Sequence, residues 1–291
     1  MKLKFLLPVA ASFAIIALGS CKKDSTTSNS DEIAATFELS ADQGIADNTT
    51  QDANDVLNDA AVSYNFNGAF SAGQTAQTSF TGGSAQTTFL PACATVTITP
   101  LVGFPKTVTI DFGTTGCTSN NGVTRTGKIH VTVSDSLRHT GSVAVMTFEN
   151  YYVNSYKKEG TITWTNTSTA TVRSWHRVCE NGKITAPNGN YWTHYGAQDI
   201  VQSMGASTPA TIDDEFSITG GHTVTNAAGR TRTGTILTAL KKKTACNWID
   251  AGTYQVQGPN HIAVIDYGSG TCDNTATVSI DGQTPHTITL N

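Results

Sequence analysis

Along residues 94–133 apolar and polar positions alternate with a period of two. Thr95-Val96-Thr97-Ile98-Thr99 is followed by Thr107-Val108-Thr109-Ile110-Asp111-Phe112 and then by Lys128-Ile129-His130-Val131-Thr132-Val133. Successive side chains of a strand point to opposite faces, so this alternation predicts strands with one face buried. The same grammar continues over 142–153, 160–168, 170–179, 190–201, 211–219, 230–240, 245–257, 260–267, 275–280 and 285–290. Between these runs fall Asn121-Gly122, Asn181-Gly182, Asn188-Gly189, Gly220-Gly221, Ala228-Gly229 and Asp281-Gly282. Such dipeptides supply the positive φ that tight hairpins require. The pattern predicts an all-β body, an antiparallel meander forming a sandwich or strongly curved sheet.

Helical spacing is clear only where Ala53, Val56, Leu57, Ala60 and Ala61 recur, which predicts one short helix near 51–62. Residues 63–90, rich in Gly, Ser, Thr, Gln and Ala with Phe66, Phe70, Phe80 and Phe89 among them, read as a connector or a pair of weak strands.

The chain opens differently. Lys2 and Lys4 precede an apolar run from Phe5 to Leu18, broken only by Pro8 and Ser12. That run is shorter than the ~20 residues a membrane-spanning helix needs and has the form of a signal-peptide core. Leu18-Gly19-Ser20-Cys21 then resembles the lipobox of bacterial lipoproteins. The resemblance implies cleavage before Cys21 and acyl chains, palmitate among them, on that cysteine. Lys22-Lys23-Asp24 is similar to the charged tether of Bacteroidota-type lipoproteins and implies an outer-membrane protein on the periplasmic or surface face. The expected organisation is a signal peptide over 1–20 and a lipid-anchored flexible tether over 21–50. A short acidic helix and connector would occupy 51–90, and the β-rich body 91–291 would comprise two related halves, about 91–170 and 171–291.

Charge sharpens this division. Charged residues make up only 14% of the chain, and the net charge is −4. Residues 31–62 hold eight acids and no Lys or Arg, whereas 63–291 hold thirteen acids and fourteen bases. The acid spacing does not fit a calcium-binding loop, and no metal site or cofactor is expected. The balance gives no basic face for nucleic acid.

A pattern occurs twice in the body. Cys93 and Cys117 flank Pro105, with Ile110-Asp111-Phe112-Gly113 on the return; Cys246 and Cys272 flank Pro259, with Ile265-Asp266-Tyr267-Gly268 on the return. Hairpins folded at the two prolines would set each cysteine pair opposite one another, within bridging distance. Arg125-Thr126-Gly127-Lys128-Ile129 and Arg232-Thr233-Gly234-Thr235-Ile236 form a second repeated element. With Phe104-Pro105-Lys106-Thr107 and Gly270-Thr271-Cys272-Asp273, the arrangement resembles a group of uncharacterised Bacteroidota-type envelope lipoproteins. That resemblance implies an all-β body and no assigned activity.

No nucleophile elbow, zinc-binding helix or phosphate-cradling loop occurs, so no catalytic residue is assigned and no enzyme is expected. Asp111 and Asp266 could pair as glycosidase carboxylates, but an Asp closing a strand before Gly more often accepts turn hydrogen bonds. Asp213-Asp214-Glu215 reads as a solvated strand start. Cys179 is the leftover thiol, and in a strand it points away from His176, which argues for a buried free cysteine. Trp175 shares a face with Arg173 and Arg177, opposite Val172 and Val178, and would present an aromatic ring between two guanidinium groups to solvent. With Tyr191 and Trp192, these form the candidate binding surface of a non-enzymatic envelope protein whose partners are the membrane, through Cys21, and a glycan or another envelope component. The alternatives are a carrier that encloses an apolar ligand in the curve of its sheet, and a glycan hydrolase.

Overall fold

The computed structural model describes residues 29–64, 79–81, 89–208 and 212–290. The expected signal peptide, Cys21, the first residues of the expected tether and most of the expected 63–90 connector lie outside them.

The described chain begins with one helix, α1 (Asn29–Ser63). Fifteen strands follow: β1 (Ser79–Thr81), β2 (Thr95–Thr99), β3 (Lys106–Asp111), β4 (Cys117–Thr118) and β5 (Thr124–Val133). Next come β6 (Val143–Val153), β7 (Tyr156–Asn166), β8 (Ser174–Thr185), β9 (Tyr191–Met204) and β10 (Glu215–Asn226). The last five are β11 (Thr231–Lys243), β12 (Ala251–Gln257), β13 (Ile262–Ser269), β14 (Thr275–Ile280) and β15 (His286–Thr289). All fifteen belong to one antiparallel sheet, each pairing with its sequence neighbour except that β3 pairs with β5 and the two-residue β4 sits beside β5. The meander is therefore a single open sheet, without pairing between β1 and β15.

The helix is longer than its apolar spacing predicts and takes in residues 29–50, expected as tether. Between Gln43 and Leu57 every residue is buried, on all sides of the helix. A helix buried round its whole circumference by one sheet needs that sheet to curve about it. Contacts trace the wrap. Asp52 meets Arg125 of β5, Thr50 accepts from Lys158 of β7, and Gln51 accepts from Arg177 of β8. Further round, Asp47 faces His222 of β10, Asp55 pairs with Lys242 of β11, and Gly44 packs under Tyr267 of β13 and Leu290.

Curvature has a local cause. Ladder irregularities interrupt the pairing beside Gly127 in β5, Asn150 in β6, Gly160 in β7, Asn181 in β8, Gly220 in β10 and Gly252 in β12. Each of these residues has positive φ, and bulges of this kind bend a strand and raise its twist. At Gly127 a Cβ would lie 2.0 Å from the Asn150 carbonyl oxygen, so only glycine fits. Asn181-Gly182 and Gly220-Gly221 are thus not turns, as their composition suggests, but bulges inside β8 and β10, which run on to Thr185 and Asn226. The other four Gly dipeptides do sit in turns.

The main apolar cluster joins Ala53, Val56, Leu57, Ala60 and Ala61 of α1 to Val96, Ile110, Ile129, Ile265 and Val278, so both halves of the body share one core. Both disulfides form, with Cα separations of 5.8 Å for Cys93–Cys117 and 5.6 Å for Cys246–Cys272. The cysteines are not opposed strand residues, however: Cys93 precedes β2, and Cys117 lies in β4, across from Arg125. The repeated elements have equivalent roles. Asp111 and Asp266 each accept the amide of the glycine two residues on, both at 2.8 Å. Arg125 and Arg232 both turn inward to α1, and Arg232 Nε donates to Thr36 Oγ1 at 2.8 Å.

Candidate binding recess

The inner wall of the sheet is unusually polar. Lys158, Arg177, Lys242, His194 and His222 are all buried there, opposite Asp47, Gln51, Asp52 and Asp55 of the helix. Burial holds the Lys158 ammonium down to about 8 and keeps both imidazoles below their ordinary range. Cys179 lies in the same layer, with Sγ 3.6 Å from His194 Nδ1, while His176 points outward to Asp199. Burial pushes the Cys179 thiol up, which makes it a poor nucleophile. Among the described residues no group of three or more His, Cys, Asp or Glu side chains could hold a metal ion, and no helix is long and apolar enough to cross a membrane.

The predicted surface of Arg173, Trp175, Arg177, Tyr191 and Trp192 is not brought together. The strand parity is right, because Trp175 and Arg177 share a face, but that face is the inner one. Arg177 is 3% exposed, lies over the Trp164 ring at 5.0 Å and donates to Gln198 of β9. Val172 is exposed instead, and Val178 is only half-buried. The inner face accepts Arg177 because the polar helix supplies its partners, which inverts the rule that valines mark the inside. Trp192 is 3% exposed and packs with Leu39, Ile45, Ile184 and Val224, whereas its neighbour Tyr191 is exposed under Lys183.

Arg173 and Trp175 instead line a recess beside the C-terminal part of α1. Its apolar wall is Leu57, Leu137, Trp164, Trp175, Ile200 and Phe216, and its polar groups are Asn54, Asn58, Arg138, Asn166, Arg173, Gln202 and Asp214. The aromatic wall comes from three strands: Trp164 from β7, Trp175 from β8 and Phe216 from β10, the last two edge to face at 6.2 Å. The free space is about 80 Å³. That is roughly half of the ~150 Å³ cavity that encloses a benzene ring, so the space is too small to enclose a whole ring.

The polar groups are held in place. Gln202 Nε2 donates to Asp214 Oδ1 at 2.7 Å, Arg173 Nη1 donates to Gln202 Oε1 at 3.4 Å, and Asn166 Nδ2 donates to the Leu137 carbonyl at 2.8 Å. Burial, with Asp213 beside it, raises the Asp214 carboxyl to about 6 against the pull of Arg173 and Arg138. Trp164 is 7% exposed, and its indole N–H has no acceptor among the described residues. A buried donor left unmade costs ~1–3 kcal/mol.

The sequence pointed to Arg173 and Trp175 but set Asp214 aside as a solvated strand start. Nothing along the chain links Trp164, Trp175 and Phe216 before the pairing of β7 to β10 is known. Asp111 and Asp266 stay apart from the recess, each engaged in its own turn. The interior of the curve, where an apolar ligand would sit in a carrier, is filled by α1. No known family model, curated protein or solved structure matches the chain.

Proposed function

We propose that the protein is a lipid-anchored, non-enzymatic binding protein of the cell envelope, tethered to the outer membrane through acylated Cys21, that holds a saccharide in the recess. The observation that carries the binding reading is the aromatic wall of Trp164, Trp175 and Phe216, set among fixed amide, carboxyl and guanidinium groups. The C–H face of a sugar ring is apolar and stacks on aromatic carbon, while its hydroxyls need donors and acceptors at the rim; the recess has both. The anchor rests on Leu18-Gly19-Ser20-Cys21 behind its apolar run.

The test is titration of the full chain, purified in detergent, with a panel of oligosaccharides, read by tryptophan fluorescence and calorimetry. Saturable binding that Trp175→Ala abolishes while the circular dichroism spectrum is retained supports the proposal. No binding to any saccharide, or binding that Trp175→Ala leaves intact, contradicts it.

A further inference from the structure

We infer that the saccharide is acidic, and that its carboxylate is received by Arg138 and Arg173 at the rim of the recess. The inference rests on reading the recess as a saccharide site. Both guanidinium groups line it, from the β5–β6 connection and from the segment before β8. Neither has a carboxylate within ion-pair distance among the described residues; Arg173 donates only to the Gln202 amide oxygen, at 3.4 Å. Arginine forks match carboxylates in a planar two-point contact, and the pairing strengthens in a half-enclosed site.

Asp214 decides how such a ligand is received. It meets Asp213 on its own segment, Arg138 and Arg173 from the two connections, and Gln202 from β9; the Thr244 amide after β11 donates to its carbonyl, and α1 contributes only uncharged residues to the recess, Asn54, Leu57, Asn58 and Val62. The carboxyl, raised to about 6, is half protonated in mildly acidic solution. An incoming carboxylate disfavours the Asp214 anion, so ligand and proton bind together and each strengthens the other. Sugar carboxylates remain ionised above about pH 5, so the coupling between about pH 5 and 7.5 acts through Asp214.

The experiment compares trigalacturonate, its fully methyl-esterified form and neutral galactotriose, by calorimetry on the full chain in detergent at pH 5.2 and 7.5. The expected result is that trigalacturonate binds about tenfold more tightly than either neutral sugar at pH 5.2 and that the advantage shrinks at pH 7.5. Arg173→Ala weakens trigalacturonate binding more than it weakens neutral-sugar binding, so the advantage disappears. Asp214→Asn tightens trigalacturonate binding at pH 7.5 and flattens its pH dependence. Equal binding of all three sugars overturns the inference and leaves the saccharide site standing; a preference for the acid that Arg173→Ala does not change overturns it also. Absence of binding by any of the three overturns this inference, whereas the saccharide reading falls only if the whole oligosaccharide panel fails to bind.

Discussion

Asp52 of the helix and Arg125 of β5 form a two-point ion pair inside the curve of the sheet: Arg125 Nε reaches Asp52 Oδ2 at 2.9 Å while Nη2 binds Oδ1. The Arg125 side chain is wholly buried, and Tyr151 Oη donates to the same carboxylate at 3.3 Å. Seventy-three residues separate the two partners, so the pair joins the acidic N-terminal segment to the β body. Removing one member of a buried pair strands the other charge, which typically costs ~3–5 kcal/mol.

Asp52→Ala is therefore expected to lower the unfolding free energy by about 3–5 kcal/mol. The Asp52→Ala, Arg125→Met double variant should lose less than the sum of the two single losses, because no unpaired charge remains. Guanidinium denaturation of the four proteins checks this; additive losses would mean that the pair is not coupled.

The helix also carries a carboxylate that works against folding at neutral pH. Burial, and secondarily Glu38 one turn earlier, raises the Asp42 carboxyl to about 7. Its unfolded value lies near 3.9, so the folded state binds more protons between the two values and loses stability as pH rises through them. Asp42→Asn should accordingly stabilise the protein by about 1–2 kcal/mol at pH 8, allowing for partial exposure, with no gain below about pH 4. Denaturant midpoints measured across pH check the sign: a gain that grows toward acid would contradict it.

Bulge glycines and turn glycines should differ. Gly127 and Gly122 both have positive φ, but a Cβ at Gly127 collides with the β6 backbone while one at Gly122 meets nothing within 4 Å. Gly122→Ala should cost only the ~1 kcal/mol of an unfavourable φ, whereas Gly127→Ala should cost at least ~3 kcal/mol because the bulge must rearrange. Thermal unfolding of both variants provides the comparison, and equal losses would mean that the bulge is not specified.

The anchor is tested separately from the fold. Cys21→Ala should move the protein from the membrane fraction to the soluble fraction and remove the acyl mass from the intact protein, since two or more chains are needed for firm attachment. Retention of the lipid mass in Cys21→Ala would contradict acylation at that residue.

The sheet was legible because its outer face is threonine-rich and its inner face around Val96, Ile98, Ile110, Ile129 and Val131 is apolar, so a period of two survives without knowledge of neighbours. The repeated Asp111-Phe112-Gly113 and Asp266-Tyr267-Gly268 signalled equivalent turns for the same local reason. The length of α1 was not legible. Its residues 43–52 carry no apolar stripe because each face meets a polar partner: Asp47 meets His222, Asn48 the Ile249 amide, and Thr50 Lys158. Inward cations such as Arg177 likewise disguised which face of β8 was inside. The recess was only half visible, because Trp164 and Phe216 join Trp175 through pairings that no local pattern encodes.

The recess requires the acidic helix to lie inside the curve of the sheet, where Asn54, Leu57 and Asn58 form one of its walls. Hydrogen exchange of the full chain, followed by mass spectrometry of peptides from 43–58, tests that most directly. Those amides should be among the slowest to exchange, matching the central strands β7 to β10 and opening only on global unfolding. Exchange of the 43–58 peptides within seconds, while β7 to β10 remain protected, would show a helix outside the sheet and contradict the account.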